Sequence, residues 1–305
     1  MIYNKGMENT NYIDLHTHSI ASNDGTYTPF ELIEIAKNSN IKYLAITDHD
    51  SVLSVEEGLN CAKNNDIIFI PGIEISGIVE NTPIHITAYG IDFKHPGYAK
   101  RSEFVKNELI DWGKKIIAKT LDFGFKFDPD EVYNIREDHS ICEELIGQVI
   151  LNDSRNDQDE RLKEFRPGGK LSNNPTFNFY KEFTTPGKPI HVPYTSDMPI
   201  EEASKLIHES GGKMFLAHPN HNIGKNNDLL EKIISYGLDG VEVVSSYHDR
   251  NAIDYFYEKD KKYNLYMSVG SDFHGNSKPA IKMGSINYDE EQLIKTLKFI
   301  GVYNG

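Results

Sequence analysis

The sequence predicts an α/β barrel that is interrupted by a helical insertion between its fourth and fifth strands. Toward both ends of the chain, short runs rich in β-branched and aromatic residues alternate with helical patterns, which is typical of a parallel sheet. Residues 95–185 break this alternation with helical patterns and polar tracts, and they contain no strong strand. A length of 305 residues suits one barrel with an insertion. We therefore expect a barrel domain over 10–94 and 186–305, and an insertion forming a cap subdomain over 95–185.

Seven runs of residues have the composition and length of strands. They span residues 12–18, 42–50, 67–76, 84–92, 212–219, 239–246 and 266–274. The third and fourth runs could pair as neighbours. Seven strands with helices between them predict a parallel sheet that closes into a barrel.

The helices between these strands carry start signals. Thr28 followed by Pro29 predicts a helix over about 28–39, with Thr28 as the N-cap. Ser54 and Glu57 have the spacing of a capping box, which predicts a second helix over about 54–65. Further helices are expected before the fifth, sixth and seventh strands.

The composition limits the partners and the compartment. A formal net charge of −14 disfavours a surface that grips a long nucleic acid, because such binding needs clustered Lys and Arg. The mean hydropathy is −0.50, and no apolar run has the length of a membrane-spanning helix. Cys61 and Cys142 lie outside any CxxC motif, and the N-terminal residues lack an apolar signal segment. We expect a cytoplasmic protein with no membrane partner, and its oligomeric state stays open.

The segment YIDLHTHSIASNDGTYTP, residues 12–29, contains the first indication of a metal site. His16 and His18 are two residues apart, so they lie on one face of a strand, and Asp24 follows shortly after. Asp14 shares that face, and we expect it to be structural, with orientation of an imidazole as its best functional interpretation. An HxH pair alone is weak evidence, because such pairs also occur by chance on exposed strands.

The rest of the chain strengthens this indication, because every predicted strand carries an imidazole or carboxylate near its C-terminal end. His85 is the exception in position, since it lies early in its strand. Taken singly, His49 or His218 would more often be structural, and Asp48 would more often cap a turn. The candidate ligands are His16, His18, Asp24, His49, Glu74, His85, His218, Asp272 and His274. Nitrogen and oxygen ligands without thiolate favour Zn, Mn or Fe, and this number of ligands implies two or three divalent ions.

The motifs DLHTHS, SNDG, ITDHD, PGIEIS, AHP and GSDFHG, in this order, resemble those of the PHP (polymerase and histidinol phosphatase) superfamily of metal-dependent phosphoesterases. The resemblance covers about residues 12–94 and 186–300. It is greatest to the branch that contains nucleoside 3′,5′-bisphosphate phosphatases, which also carry a helical insertion. The resemblance implies a distorted (β/α)7 TIM-like barrel with three metals.

The resemblance also implies ligand sets. The first metal would be bound by His16, His18, Glu74 and Asp272, the second by Glu74, His85 and His218, and the third by Asp24, His49 and His274. Glu74 would bridge the first two metals. His248 matches a position close to the substrate phosphate and is the candidate catalytic proton donor.

The candidate substrate contacts lie where the sequence departs from the pattern of that branch. Asn220 and His221 follow the AHP motif, where the branch usually has an arginine. Arg136 and His139, in IREDHSIC, replace a compact Arg-Pro-His-Ile-Ala motif in the insertion. These differences leave phosphate chemistry in place and bear on the identity of the substrate.

The sequence therefore predicts metal-dependent hydrolysis of a phosphate ester, on a small phosphorylated metabolite or nucleotide, by a metal-bridging hydroxide. Two other enzyme activities remain open, a histidinol-phosphate phosphatase and a 5′–3′ exonuclease acting on short oligonucleotides. A third interpretation, from another class, is a metal-holding regulatory module without catalysis. Metal analysis combined with a phosphatase screen distinguishes the module from the enzymes.

Overall fold

The computed structural model describes residues 12–136, 141–194, 196–286, 288 and 290–303. Its strands are β1 (Ile13–Asp14), β2 (Tyr43–Ile46), β3 (Ile68–Val79), β4 (Thr82–Tyr89), β5 (Met198–Pro199), β6 (Lys213–Leu216), β7 (Gly240–Ser245) and β8 (Tyr266–Gly270). All seven predicted strands are present. The two-residue strand β5, which pairs with β3, is an addition that the sequence did not predict.

Seven of these strands form a nearly closed, barrel-shaped sheet. Their order is β1-β2-β3-β4-β6-β7-β8. Backbone hydrogen bonds join the first strand to the last, because the Leu15 amide donates to the Val269 carbonyl at 3.1 Å. Just beyond these strands, the Asp272 amide donates to the His16 carbonyl at 2.9 Å. The predicted α/β barrel is confirmed.

The prediction of a wholly parallel sheet is wrong for β4, which runs antiparallel to both β3 and β6. Only Glu80 and Asn81 connect β3 to β4, and both have positive φ, 47° and 65°. Such a two-residue turn makes a hairpin, whereas a parallel connection needs a crossover of a dozen or more residues. The amino end of β4 therefore lies at the same edge as the carboxyl ends of its neighbours. His85 reaches that edge for this reason, although it lies early in its strand.

The helices confirm one predicted start signal and correct the other. They are α1 (Pro29–Asn38), α2 (Val55–Ala62), α3 (Pro96–Asp122), α4 (Pro129–Tyr133), α5 (Glu143–Asn152), α6 (Pro175–Phe179), α7 (Ile200–Glu209), α8 (Pro219–Asn222), α9 (Asn227–Ile234), α10 (Arg250–Tyr263) and α11 (Glu290–Ile300). Thr28 caps α1 and forms a capping box with Glu31. Ser54 makes no such bond at the start of α2, because its hydroxyl donates to the buried Asp48 carboxylate. Within the described ranges, no helix is both long enough and apolar enough to cross a bilayer.

The chain divides into two compact units, and the boundary falls inside α3. The first unit comprises residues 1–102 and 197–305, and the second comprises residues 103–196. Each has its own apolar core. That of the first is formed by the sheet and its helices, and that of the second includes Phe125, Phe179 and Phe183 with ring centroids 4.8 to 5.6 Å apart. The role of residues 95–185 as a cap stays a prediction.

Candidate metal centre

Glu74, a fully buried residue of β3, is the centre of the histidine cluster. Its backbone is fixed from the neighbouring loop, because its amide donates to the Asp48 carbonyl at 3.1 Å and its carbonyl accepts from the Asp50 amide at 2.7 Å. On the other side it is in register with Thr87 of β4. The Glu74 carboxylate is therefore presented by a backbone that is paired on both sides.

The two oxygens of Glu74 face different imidazoles. Oε2 lies 3.2 Å from His16 Nε2, 3.2 Å from His18 Nε2 and 3.1 Å from His49 Nδ1. Oε1 lies 3.0 Å from His85 Nδ1 and 3.0 Å from His218 Nε2. A carboxylate with one set of nitrogen ligands around each oxygen has the arrangement needed to bridge two ions.

Two further carboxylates complete the cluster. Asp272, just after β8, places Oδ1 at 3.2 Å from His16 Nε2 and 3.1 Å from His18 Nε2. Asp24 places Oδ2 at 3.1 Å from His274 Nε2. All nine ligands predicted from the sequence therefore come together at one end of the barrel.

Their ligand atoms fall into three overlapping groups, in each of which these atoms lie within 4.8 Å of one another. The groups are His16, Glu74, His218 and Asp272; His18, Asp24, His49 and His274; and His49, Glu74 and His85. His18 therefore groups with Asp24, His49 and His274, the residues predicted for the third metal. His218 groups with His16, Glu74 and Asp272, which were predicted for the first metal. The assignment of each residue to a particular ion stays a prediction.

The buried polar atoms of this cluster test whether it fits metal ions. His16 Nε2, His18 Nε2 and Glu74 Oε2 are buried, and none makes a hydrogen bond within the described residues. The same holds for His49 Nδ1 and His274 Nε2. Buried polar atoms without partners are rare in proteins, and here they converge at contact distance of one another. Imidazole and carboxylate donors without thiolate suit divalent Zn, Mn or Fe, so the residues fit a metal centre.

Glu242, in the middle of β7, is a functional residue that the sequence reasoning missed. It is fully buried, its Oε1 lies 3.1 Å from His16 Nδ1, and its Oε2 accepts from the His218 amide at 2.6 Å. A carboxylate on the far nitrogen of a metal-binding imidazole fixes the ring and raises its basicity. The signal in the sequence was a single acid inside the apolar run GVEVVS.

Asp14 is structural, as expected, and among the described residues it is not seen to orient an imidazole. Its carboxylate instead accepts from the backbone amides of Ser271 at 2.9 Å and Gly284 at 3.0 Å. Asp14 therefore fixes the chain on either side of the loop that follows β8. Its physical role is to hold Asp272 in place through the backbone.

The backbone of two candidate ligands is strained. His218 and Asp272 have φ of 24° and 57°, a region that residues other than glycine rarely adopt. Each such residue costs about 1–3 kcal/mol and persists where the surroundings over-determine it. Gly270 shows how tightly the site is built, since a Cβ there would lie 2.0 Å from His16 Cβ and 2.5 Å from Glu242 Oε1.

The charges of the cluster depend on one another. Burial alone would raise the pKa of Glu74, but His16, His49 and His85 hold that pKa well below its usual range. Burial alone would lower the pKa of His18, but Asp272 and Glu74 raise it to about 9. The pKa of His49 falls to about 3, because burial outweighs the carboxylates beside it. The charge of each imidazole therefore depends on the balance between its burial and the carboxylates around it.

His248 lies beside the cluster, but its hydrogen bonds do not favour the predicted role of proton donor. Its Nδ1 donates to the Val243 carbonyl at 2.9 Å, and its Nε2 accepts from the Asn220 amide at 3.3 Å. Burial lowers the pKa of His248, so the ring is neutral with both nitrogens in use. His248 therefore holds the start of α8 in place.

Two of the predicted substrate contacts, Asn220 and His221, lie in α8 of the first unit. The His221 ring packs against the Tyr247 ring with centroids 5.4 Å apart, outside the three ligand groups. Asn220 contributes its backbone amide to His248. Arg136 belongs to the second unit, after α4, and His139 lies outside the described residues. The substrate roles of these residues stay predictions.

Comparison with known proteins decides the family. The PHP domain model matches residues 14–146. The 5′-3′ exoribonuclease Rnm of Escherichia coli is 30% identical, over 88% of this chain and 88% of its own length. This chain belongs to the PHP family.

A further relative and a solved structure are similar to this chain over most of its length. The 3′,5′-nucleoside bisphosphate phosphatase of Chromobacterium violaceum is 28% identical, over 86% of this chain and 87% of its own. An amidohydrolase from Chromobacterium violaceum, solved with bound sulfate and no metal, is 24% identical and has a TM-score of 0.78, covering 95% of this chain and 96% of its own. That structure shares the fold.

Family, fold and cluster together identify an enzyme that hydrolyses phosphate esters with the help of divalent metal. The family and the reaction class predicted from the sequence are confirmed.

Proposed function

We propose that this PHP enzyme hydrolyses a phosphate ester of a small nucleotide, with a nucleoside bisphosphate as the preferred class. The observation that carries the proposal is Glu74, whose two oxygens each face their own set of imidazoles. The phosphatase from Chromobacterium violaceum supports the choice of substrate class. Two or three ions of Zn, Mn or Fe would be held by His16, His18, Asp24, His49, Glu74, His85, His218, Asp272 and His274.

The cluster has a closed side and an open side. The side chains of His16, His18 and Glu74 are fully buried. Those of His85 and Asp24 are exposed by 34% and 24%. We propose that the phosphate reaches the ions from the side of His85 and Asp24. The buried ligands exclude water from the opposite side of the cluster.

Bound divalent ions supply Lewis-acid charge for the phosphoryl oxygens and lower the pKa of a coordinated water. The protein's part is to fix the geometry of the ligands. Glu242 holds the His16 ring by its Nδ1 and the His218 amide by a second oxygen, so two ligands share one rigid support. His18 is held in the same way, with its Nδ1 2.9 Å from the Ser22 hydroxyl. Ligands fixed before binding need little rearrangement when charge develops on the substrate.

A second candidate is a 5′–3′ exoribonuclease that acts on short RNA. The observation that favours it is the Escherichia coli exoribonuclease, 30% identical over 88% of both chains. A net charge of −14 disfavours long polymers but not oligonucleotides of a few residues. We further propose a cytoplasmic location, in which either substrate is available.

Three substrates test the proposal on protein loaded with Mn²⁺ or Zn²⁺: adenosine 3′,5′-bisphosphate, a 5′-phosphorylated pentaribonucleotide and histidinol phosphate. We expect kcat/KM to be highest for the bisphosphate, to vanish on chelation and to return on refilling. Preference for the pentaribonucleotide would establish the second candidate instead. Failure to hydrolyse any of the three while metal content is full would contradict both.

A further inference from the structure

The loop after β8 brings a lysine to the edge of the metal cluster. Lys278 Nζ lies 2.7 Å from Asp272 Oδ2 and 2.9 Å from the Tyr247 hydroxyl. The Tyr247 hydroxyl itself donates to the same Asp272 oxygen at 2.5 Å. These three side chains form one hydrogen-bonded unit, in which only Asp272 belongs to the predicted ligand sets and neither Tyr247 nor Lys278 has been given a role.

The unit divides the two oxygens of Asp272 between two tasks. Oδ1 faces His16 and His18 at 3.2 and 3.1 Å, whereas Oδ2 faces the ammonium and the phenol. Tyr247 alone would satisfy Oδ2 with a neutral donor. Asp272 does not need Lys278 to complete its hydrogen bonds. Lys278 therefore contributes a full positive charge beside the ligands.

The ammonium also has capacity to bind another anion. An ammonium has three N–H donors, and Asp272 and Tyr247 use two of them. The Lys278 side chain is 26% exposed, close to the 24% of Asp24 on the open side of the cluster.

The charge of an incoming phosphate makes such a group useful. Asp24, Glu74 and Asp272 already bring three carboxylates to the cluster, and Glu242 adds a fourth behind His16. A phosphate ester adds further negative charge to the same volume. A fixed cation beside the ions offsets that charge on the phosphoryl oxygens and adds a charge-assisted hydrogen bond.

We propose that Lys278 is a substrate-binding residue, whose ammonium contacts a nonbridging oxygen of the phosphate held at the metal cluster, and that Tyr247 positions it. This inference rests on the proposed function and names a specific contact for it. Lys278 lies on the chain six residues beyond Asp272, so one loop supplies both a ligand and the anion contact.

The test compares Lys278→Met with Lys278→Arg, using inorganic phosphate as the probe on metal-loaded protein. We expect Lys278→Met to keep its metal content and to bind phosphate about 10- to 100-fold more weakly, the range for loss of a charge-assisted contact. Lys278→Arg should stay within about threefold of the unchanged protein, because it keeps the charge. Lys282→Met removes an exposed lysine from the same loop and is the matched control, with unchanged phosphate binding.

Two outcomes would overturn the inference. If Lys278→Met loses metal while the remaining loaded sites bind phosphate normally, Lys278 only holds Asp272. If its metal content and phosphate affinity are both unchanged, Lys278 has no role in the site. Tyr247→Phe keeps the test informative should Lys278→Met not fold, because we expect it to weaken phosphate binding and leave the metal bound.

Phosphate binding also separates this inference from the proposed function. Weaker binding in Lys278→Met supports the contact even if the unchanged protein hydrolyses none of the three nucleotide and histidinol substrates. Normal hydrolysis by the unchanged protein, with normal phosphate affinity in Lys278→Met, contradicts the contact alone.

Discussion

The barrel carries a group of histidine and carboxylate side chains at each of its ends, and the two groups differ in how completely their polar atoms are hydrogen-bonded. At the carboxyl ends of most strands the imidazoles surround Glu74. At the amino ends of β6 and β7, His208 lies between Ser204 and Asp239, with its Nδ1 3.2 Å from the hydroxyl and its Nε2 3.2 Å from the carboxylate. Both clusters contain the residue types of an active site.

The difference lies in the hydrogen bonds. In the His208 cluster each polar side chain is bonded, since Ser204 donates to the Tyr236 carbonyl and Asp239 accepts from the Met214 amide. In the Glu74 cluster, buried atoms such as His16 Nε2 and His274 Nε2 make no hydrogen bond within the described residues. Residue type alone therefore does not identify the metal centre. Convergent buried atoms whose bonding is incomplete do identify it.

The largest expected effect comes from removing the negative charge of Glu74. Glu74→Gln takes away the carboxylate shared by the imidazoles, so we expect loss of bound metal and a fall in kcat/KM of more than about 100-fold. His208→Gln, at the other end, should change kcat/KM by less than about twofold, because an exposed pair contributes little. Elemental analysis and phosphate release measure both variants. Full metal content in Glu74→Gln would contradict the role of Glu74 as the centre of the metal cluster.

Glu242→Gln tests whether support of the ligands matters as much as the ligands. The side-chain oxygen of the new glutamine can still accept a hydrogen bond from the His218 backbone amide. It carries no negative charge to hold the His16 ring. We expect metal affinity to fall about 10- to 100-fold, as for other partners of metal-binding imidazoles. Competition with a chelator measures the affinity. Asp239→Asn is the control, and equal affinities in the two variants would contradict the role of Glu242.

Gly270→Ala tests how tightly the Glu74 end is packed. The new methyl group would lie 2.0 Å from His16 Cβ, so His16 or β8 must shift. We expect the free energy of unfolding to fall by about 1–3 kcal/mol, as for overpacked cores. Gly77→Ala in β3 is the control, because its nearest neighbour is the end of the Ile86 side chain at 3.3 Å. Urea unfolding of both proteins measures the difference, and equal stabilities would refute the crowding argument.

The smallest effect concerns Asp260 of α10, a buried carboxylate with no imidazole beside it. Burial raises the pKa of Asp260 to about 6, and Lys261 and Lys295 lower it only partly. Because the pKa in the unfolded chain is near 3.8, the native state loses stability as pH rises from about 4 through 6. Asp260→Asn removes this loss, so we expect it to stabilise the protein by about 1–2 kcal/mol at pH 8.

The control for Asp260 is the same measurement at pH 4, where the two proteins should have nearly equal unfolding free energies. A gain that is independent of pH would mean that the carboxylate is not the cause. Asp260 Oδ1 is also a buried oxygen that makes no hydrogen bond within the described residues. Unlike the atoms of the Glu74 cluster, it belongs to no group of candidate metal ligands among those residues. It therefore predicts a stability defect and no site.

The sequence predicted the strands, and it also named the residues that the structure brings together around Glu74, because both depend on local patterns. His16 and His18 alternate within the predicted run 12–18, and Asp272 lies near the end of the predicted run 266–274, so the pattern of the sequence already places them at one edge. The reversal of β4 was not predicted, although residues 77–83 between the predicted runs are too few for the crossover that a parallel connection needs.

What the sequence could not predict depends on contacts between distant residues. Glu242 meets His16 across 226 positions, and no local pattern encodes that distance. Lys278 lies in a loop without periodicity, and only the fold places it at Asp272. Ser54 matches a capping box in the sequence, but the buried Asp48 binds its hydroxyl instead. In each case a tertiary partner overrides or supplements the local signal.

The pairing of the backbone around Glu74 has a consequence for the order in which the centre assembles. Glu74 is held by ladder bonds before any ion arrives, whereas His218, Asp272 and His274 lie beyond the ends of their strands. The carboxylate anchor would therefore be in place before the first ion binds, and so would His16 and His218, which Glu242 already supports. The amide protons near Glu74 should exchange slowly with solvent in apoprotein and holoprotein alike, as should those of His218 and Asp272, which already donate to Glu242 and to the His16 carbonyl.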